Sequence, residues 1–415
     1  MKKQSEGFRT IARNYAFRAV KILVLMLCAA GPLWAQRSLA LRLPIQSENP
    51  DAITFMRAPY LVHPQVTLGT PNGFTPAQIR RAYGFDQVVN QGAGQIIGIV
   101  DAYDDPNAEA DLAVFNRQYG LPACTTANGC FRKIFGGSKR PGSNSNWSLE
   151  IALDIEWAHA IAPKATILLV EASTNSLGDL LTAVDVAVRN GASVVSMSWT
   201  VTEFSSETKQ DNHFISSGVT FLAASGDAGS GAAYPASSPD VVGVGGTALT
   251  LDADGNYQGE VAWSGSGGGM SNYEREPLYQ ALYGIPNDSR GYRGAPDVSY
   301  NANPSTGFSV YDSVSLGGAT GWFRVGGTSA GSPQWAALVA IANSVRVGAR
   351  KARLSSTNTP LYSPSKTSAS ANFHPVNSGT NGACGSLCTA GAGYDYVTGI
   401  GTPIAPAVIT NLAVQ

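Results

Sequence analysis

Histidine is scarce in this chain: four in 415 residues. His63, His213 and His374 fall in a loop, a polar helical stretch and a proline-flanked loop, and His159 sits on an apolar helical stretch where it reads as structural. A serine nucleophile that relies on imidazole as its base is therefore short of a partner. Charge is sparse as well, at 14% of residues, with no charge blocks, repeats or low-complexity linkers between residues 76 and 415. Beyond the N-terminus no apolar run is long enough to span a membrane. Cysteine is limited to five residues.

The N-terminus differs from the rest. "MKKQSEGFRTIARNYAFRAVK" carries six Lys/Arg against one Glu, and the short apolar run "ILVLMLCAAGPLWA" follows. That order predicts a signal peptide over residues 1–35, cleaved after Ala35 and taking Cys28 with it. What remains has 22 Lys/Arg against 28 Asp/Glu, a net charge of −6. A mildly acidic surface excludes nucleic acid as the expected partner. The expectation is an exported monomer, secreted or periplasmic, without membrane contact after cleavage. The four remaining cysteines form two close pairs, Cys124/Cys130 and Cys384/Cys388. In an exported protein they predict two local disulfides; the rival is one metal site of four thiolates.

Residues 36–74 read as a loop-like extension and 75–415 as one domain. Within the domain, "TPAQIRRAYGF" predicts a short helix capped by Thr75, with Pro76 at its first position. Buried strands ("QIIGIVDAY", "ATILLVEAS", "ASVVSMSWT", "VTFLAAS", "DVVGVGGT") then alternate with helices ("PNAEADLAVFNRQYG", "SLEIALDIEWAHAIA", "LGDLLTAVDVAVRNG", "SSETKQDNHFISSG"). This alternation predicts an α/β fold with a doubly wound, mostly parallel sheet.

Ligands of such sheets bind beyond the carboxyl ends of the strands, and three stretches map there. In "VGGTSAGSP" a tight glycine turn places Ser329 at a helix N-terminus, where free N–H groups favour a developing negative charge. An N-cap serine is the bland alternative, but a Gly-Gly-Thr-Ser turn is more than a cap requires. In "WSLEIALDIEWAHA", Glu150 and Asp154 are four residues apart and share one helical face. Like charges at that spacing cost roughly 0.2–0.5 kcal/mol on an exposed helix, so nothing structural recommends the pair. Their apolar neighbours predict burial, and buried neighbouring carboxyls share a proton. A carboxylate can then act as base at acid pH, where histidine (pKa about 6.5) is protonated. His159, nine residues from Glu150, cannot act beside it, and Glu156 faces elsewhere. In "FLAASGDAGSGAAYP", Asp227 follows a buried strand; protonated, it could donate to an oxyanion. Taken alone, it is better explained as a turn aspartate.

Together these stretches resemble the sedolisin family of serine-carboxyl peptidases, relatives of subtilisin in which glutamate replaces histidine. "GGTSAGSP" is similar to the family's nucleophile motif, "LEIALDIE" to its Glu-x-x-x-Asp helix, and "SGDAGS" to its oxyanion motif. "PDVVGVGGT", "WSGSGGGMSNY" and "APDVSYNANP" extend the likeness over about residues 75–410. The resemblance implies a secreted peptidase of subtilisin-like fold acting on proteins or peptides. Ser329 would be its nucleophile, Glu150 its general base, Asp154 the residue that orients Glu150, and Asp227 the oxyanion donor. It also implies one structural calcium ion near the C-terminus, held by Asp395 and the carbonyls of Gly391 and Gly393. Pro375 stands where a further carboxylate is expected, which leaves that site incomplete. About 40 residues separate the signal peptide from the domain, fewer than the folded prodomain of family precursors. Two rivals remain: an inactive exported peptide-binding scaffold, and a histidine triad built on Asp101 of "IVDAYDDP", for which no helix supplies the histidine.

Overall fold

Residues 54–58, 60–63, 70–286, 290–363 and 369–415 are described in a computed structural model. The expected signal peptide and most of the expected extension before residue 70 lie outside them. In chain order the main elements are α1 (Pro76–Ala82), β1 (Ile96–Ala102), α2 (Ala108–Tyr119), β2 (Phe131–Phe135), α3 (Ser145–Ile161) and β3 (Thr166–Ala172). They continue with α4 (Leu177–Arg189), β4 (Val194–Met197), β5 (Thr220–Ala224), β6 (Val241–Leu251), β7 (Tyr257–Ala262) and β8 (Val298–Asn301). The last are β9 (Phe308–Leu316), β10 (Ala319–Gly326), α5 (Gly331–Gly348) and α6 (Ala405–Val414).

The central sheet runs β7-β6-β5-β4-β1-β3-β2, with β8 paired beside β6. All its pairings are parallel except that of the edge strand β7. The winding reverses at β1, with β3 on one side and β4 on the other. This switch point opens a crevice at the carboxyl ends of β1, β4 and β5. Side chains alternate across β1: Ile97 and Ile99 join the core that contains α3, α5 and α6, and Val100 joins the core that contains α4. From Trp147 onward every residue of α3 is buried. A helix apolar on all sides must lie inside the protein, and any carboxylate on it goes inside too.

The short helix α1 is capped as expected: Thr75 accepts from Gln78 N, and Gln78 reaches back to Thr75 N. Both cysteine pairs are bonded locally, Cys124–Cys130 and Cys384–Cys388, which rules out a four-thiolate site. One expected helix is absent. "SSETKQDNHFISSG" forms two 3-10 turns, Glu207–Lys209 and Asp211–Phe214. Its acids are engaged elsewhere: Glu207 accepts from Phe204 N (2.7 Å) and Ser237 Oγ (3.2 Å), and Asp211 from Tyr234 Oη (3.3 Å). His213 therefore sits in a turn, paired with Asp185 at 3.0 Å. His374 lies in a two-residue strand, its ring stacked on Tyr257.

Strands β9 and β10 form an antiparallel hairpin docked on α2 and α3 through carboxyl groups. Glu156 accepts from Tyr311 N at 3.1 Å, and Asp111 from Ser313 N and Oγ at 2.9 Å each. Burial raises the pKa of Glu156 and Asp111, and pushes Asp105 up to about 7 and Asp312 up to about 8. Asp104 goes the other way, because Arg140 and Lys133 outweigh its burial. The raised groups hold protons in the folded chain that the unfolded chain releases near pH 4. Their contribution to stability is complete below about pH 4 and is lost as pH climbs through 7 to 8. The melting temperature should therefore be several degrees higher at pH 4 than at pH 8. Calorimetry giving equal values, or the reverse order, would refute this.

Candidate active site

The turn that carries Ser329 is built on glycine. Gly327 has φ +119°, in the region that glycine tolerates best, and a Cβ on Gly326 would stand 2.6 Å from Ala302 O and Pro304. The strand thus ends abruptly, a 3-10 turn Thr328–Ala330 follows, and α5 begins at Gly331. Ser329 sits in that turn, just before the residue that caps the helix, and is fully buried. Thr328 ties this turn to the loop after β5. Its Oγ1 accepts from Gly226 N (3.0 Å) and donates to Asp227 Oδ1 (2.9 Å), and its N–H also donates to Asp227 Oδ1 (2.8 Å).

Glu150 and Asp154 lie on α3, capped by Asn144, whose side chain accepts from Asn146 N and Trp147 N. Both are fully buried, as is Asp101 at the end of β1. Burial is the largest influence on all three. It pushes Asp101 up to about 8 and raises Glu150 and Asp154 well above the carboxylate range, with Asp101 repelling both. Three acids this close in a dry site cannot all ionise, so they titrate as one set. Within it the hydroxyls of Ser329 and Ser198 favour the ionised form of Glu150. The two serines also touch, Ser198 Oγ donating to Ser329 O at 3.3 Å. Ser329 Oγ and the oxygens of Glu150 nevertheless close no aligned hydrogen bond. Catalytic hydrogen bonds are often long without substrate and tighten when it binds.

Asp227 is half-buried as a residue, but its Oδ2 is shut off from solvent and has no partner. Burial pushes the group up to about 7, against the two hydrogen bonds from Thr328. Below that pH the free oxygen carries the proton and can donate. Ser329, Glu150, Asp154 and Asp227 therefore come together as the sequence led us to expect.

Asp101 joins them in a role that sequence reading missed, beside two acids rather than a histidine. The available signal was one carboxylate at the end of an otherwise apolar strand. His159 cannot serve this site: it is buried, with Nε2 against Pro122 O (2.9 Å) and Nδ1 facing the Cys130 sulfur (4.0 Å).

Asp395 lies apart from this cluster, in the C-terminal loop. It is the only acidic residue after Asp312. Its Oδ1 accepts from Val397 N (2.9 Å) and Thr398 N (2.8 Å), and its Oδ2 from Thr398 Oγ1 (2.9 Å) and Gly391 N (3.2 Å). Calcium takes six to eight oxygens, carboxylates among them. One carboxylate already filled by four donors, with Pro375 in place of a second, does not suit a resident calcium ion.

Residues 137–369 match the subtilase family, Peptidase_S8. Kumamolisin from Bacillus sp. (strain MN-32) is 33% identical over 370 residues, covering 80% of this chain and 62% of kumamolisin. Sedolisin from Pseudomonas sp. (strain 101) is 28% identical over 379 residues, covering 80% of this chain and 60% of sedolisin. This chain thus spans about six-tenths of the length of these two relatives. The solved structure of Pseudomonas sedolisin, titled a serine-carboxyl proteinase in complex with pseudo-iodotyrostatin, superposes with a TM-score of 0.70 at 26% identity. That likeness covers 84% of this chain and 100% of the other, and the shared architecture is the subtilisin-like α/β fold. The chain belongs to the subtilase family and, within it, to the sedolisin type.

Proposed function

We propose that this chain is an exported serine-carboxyl endopeptidase, hydrolysing protein or peptide substrates at acid pH. The observation that supports it most is the meeting of a buried serine, a buried carboxyl set and a protonatable aspartate, with His159, His213 and His374 engaged elsewhere. In this reading Ser329 Oγ attacks the peptide carbonyl while its proton passes to Glu150. The oxyanion of the tetrahedral intermediate takes a hydrogen bond from protonated Asp227. Glu150 then returns the proton to the departing amine, leaving an acyl ester on Ser329. Water, deprotonated in turn by Glu150, releases the acid and restores the serine. Asp154 and Asp101 position Glu150 and, by repelling one another's charge, keep the three from ionising together.

Export rests on the signal-peptide pattern and on two local disulfides, which persist in oxidising compartments. No helix of the described residues is long and apolar enough to cross a membrane. The donor set around Asp395 supports a fold that holds without calcium.

The pH–rate profile with an unfolded protein substrate is the direct test. Activity should be highest in acid and fall as pH rises through about 7, because Asp227 then loses its proton. Ser329→Ala should abolish it, by at least about 10³-fold. Activity peaking near pH 8, or surviving in the alanine variant, would overturn the mechanism. Asp227→Ala should lower kcat by about 10²–10³. Asp227→Asn, which keeps a donor but cannot titrate, should retain more activity and lose the decline near pH 7. Finally, EGTA should leave the melting temperature unchanged; a drop of several degrees would restore a structural calcium ion.

A further inference from the structure

His159 takes no part in the Ser329 cluster, and its surroundings are unusual for a histidine that only fills space. It stands in the last turn of α3, nine residues and about 14 Å along the helix from Glu150. Its Nε2 lies 2.9 Å from Pro122 O. A carbonyl can only accept, so Nε2 carries the hydrogen and Nδ1 keeps a lone pair. Burial lowers the pKa of the ring and keeps it neutral. Nδ1 faces Cys130 Sγ at 4.0 Å, and in the disulfide that sulfur has no hydrogen to give. A basic nitrogen is thus aimed at a sulfur that cannot answer it while the disulfide is closed.

One ligand atom from each of Cys124, Cys130 and His159 lies within 4.8 Å of the other two. Cys124 and His159 are buried and Cys130 is half-buried, so one edge of the group is open. The loop between the cysteines does not need the disulfide for its shape, because Asn128 organises it. Asn128 Oδ1 accepts from Thr125 N (3.1 Å) and Cys130 N (3.0 Å), and Nδ2 donates to Ala123 O (2.8 Å). Asn128 N donates to Thr125 Oγ1 (3.2 Å), and Phe131 N to Thr125 O (3.1 Å). With the S–S bond broken, both sulfurs therefore stay beside His159.

We propose that Cys124, Cys130 and His159 form, in the reduced chain, a binding site for a thiophilic divalent cation of the zinc type. Zinc takes thiolate sulfur at about 2.3 Å and imidazole nitrogen at about 2.0–2.1 Å in a tetrahedron, which spaces its ligand atoms roughly 3.5–3.8 Å apart. Small side-chain rotations reach that spacing from the present one. Pro122 O supplies the outer contact that metal-bound histidines generally have, fixing both ring and tautomer. The open edge at Cys130, where Ala165 O lies 3.7 Å from Sγ, leaves room for a fourth ligand. A dithiol reductant opens the site: it gives two electrons and two protons, the Cys124–Cys130 bond breaks to two thiols, and the reductant becomes its own disulfide. The cation then replaces the two thiol protons. Closing the disulfide consumes both thiolates and releases the cation, so disulfide and metal exclude each other. In an exported chain the metal form precedes export and the disulfide form follows it.

Cobalt(II), whose thiolate complexes are coloured, is the probe. Full-length chain carrying Ser329→Ala is reduced with dithiothreitol, freed of it without oxygen, and titrated with cobalt, then with zinc as competitor. Thiolate-to-cobalt charge transfer and the strong visible bands of a tetrahedral site should appear at about one cobalt per chain. They should appear only after reduction, and zinc should bleach them. Cys130→Ser and His159→Gln should each weaken cobalt binding at least about tenfold, whereas Cys384→Ser should leave it unchanged. No bands in the reduced parent, equal bands in the unreduced chain, or indifference to either ligand variant would overturn the proposal. So would a chain that loses its circular dichroism on reduction, or bands that depend on Cys384 instead of Cys130. Should His159→Gln not fold, the paramagnetically shifted imidazole protons of the cobalt form decide the histidine's part: their presence supports it and their absence overturns it.

Discussion

The burial of carboxyl groups without compensating cations is the constraint on which the rest of this protein depends. Glu150 and Asp154 go inside because the helix around them is apolar on every side, and Asp101 goes inside because its strand is central. In that setting a carboxyl keeps its proton until something favours the charged form. Two serine hydroxyls favour it at Glu150. Three buried acids that cannot all ionise are chemically different from three surface acids, because they titrate as one set. The same physics recurs away from the site, at Asp105, Glu156 and Asp312, each raised chiefly by burial. Stability and site chemistry thus point towards the same acid range for one reason.

A second constraint is registration. The Asp227 side and the Ser329 side of the site come from segments about a hundred residues apart, after β5 and after β10. Thr328 joins them with three short hydrogen bonds, so Asp227 and Ser329 cannot move independently without breaking bonds that are sheltered from water. Glycine makes this approach possible, since a side chain at Gly326 would collide with the backbone at Ala302. The Asp227 loop is also held from behind, where Ser230 N donates to Asn381 O (2.8 Å) and Asn381 N to Cys388 O (3.0 Å). The Cys384–Cys388 staple and the self-satisfied loop around Asp395 therefore buttress the site from the C-terminal side.

Much of this was legible in the residues. Strands β1, β3, β4, β5 and β6, helices α1 to α4 and both disulfides lie where periodicity, capping and spacing placed them. So do Ser329, Glu150, Asp154 and Asp227, because each belongs to a local pattern: a glycine turn, an i,i+4 pair, a strand end. Misreadings arose where a distant partner overrode local preference. The 205–218 stretch has helical composition, but Glu207 and Asp211 spend their oxygens on a loop some thirty residues away. Residues 54–57 and 61–63 have no strand pattern, yet the edges at Asn175, Thr200 and Gly326 make them pair. Asp101 reads locally as a lone carboxylate near the end of an apolar strand, since nothing nearby in the chain reveals that its neighbours are two more acids.

By itself, then, the sequence determined the layered α/β architecture, the residues able to do chemistry and the absence of a usable histidine, because these follow from short-range periodicity and residue type. Tertiary structure alone decided which acids titrate together and which oxygen of Asp227 is free. Those are properties of distance and dielectric between segments far apart in the chain, and no local pattern encodes them.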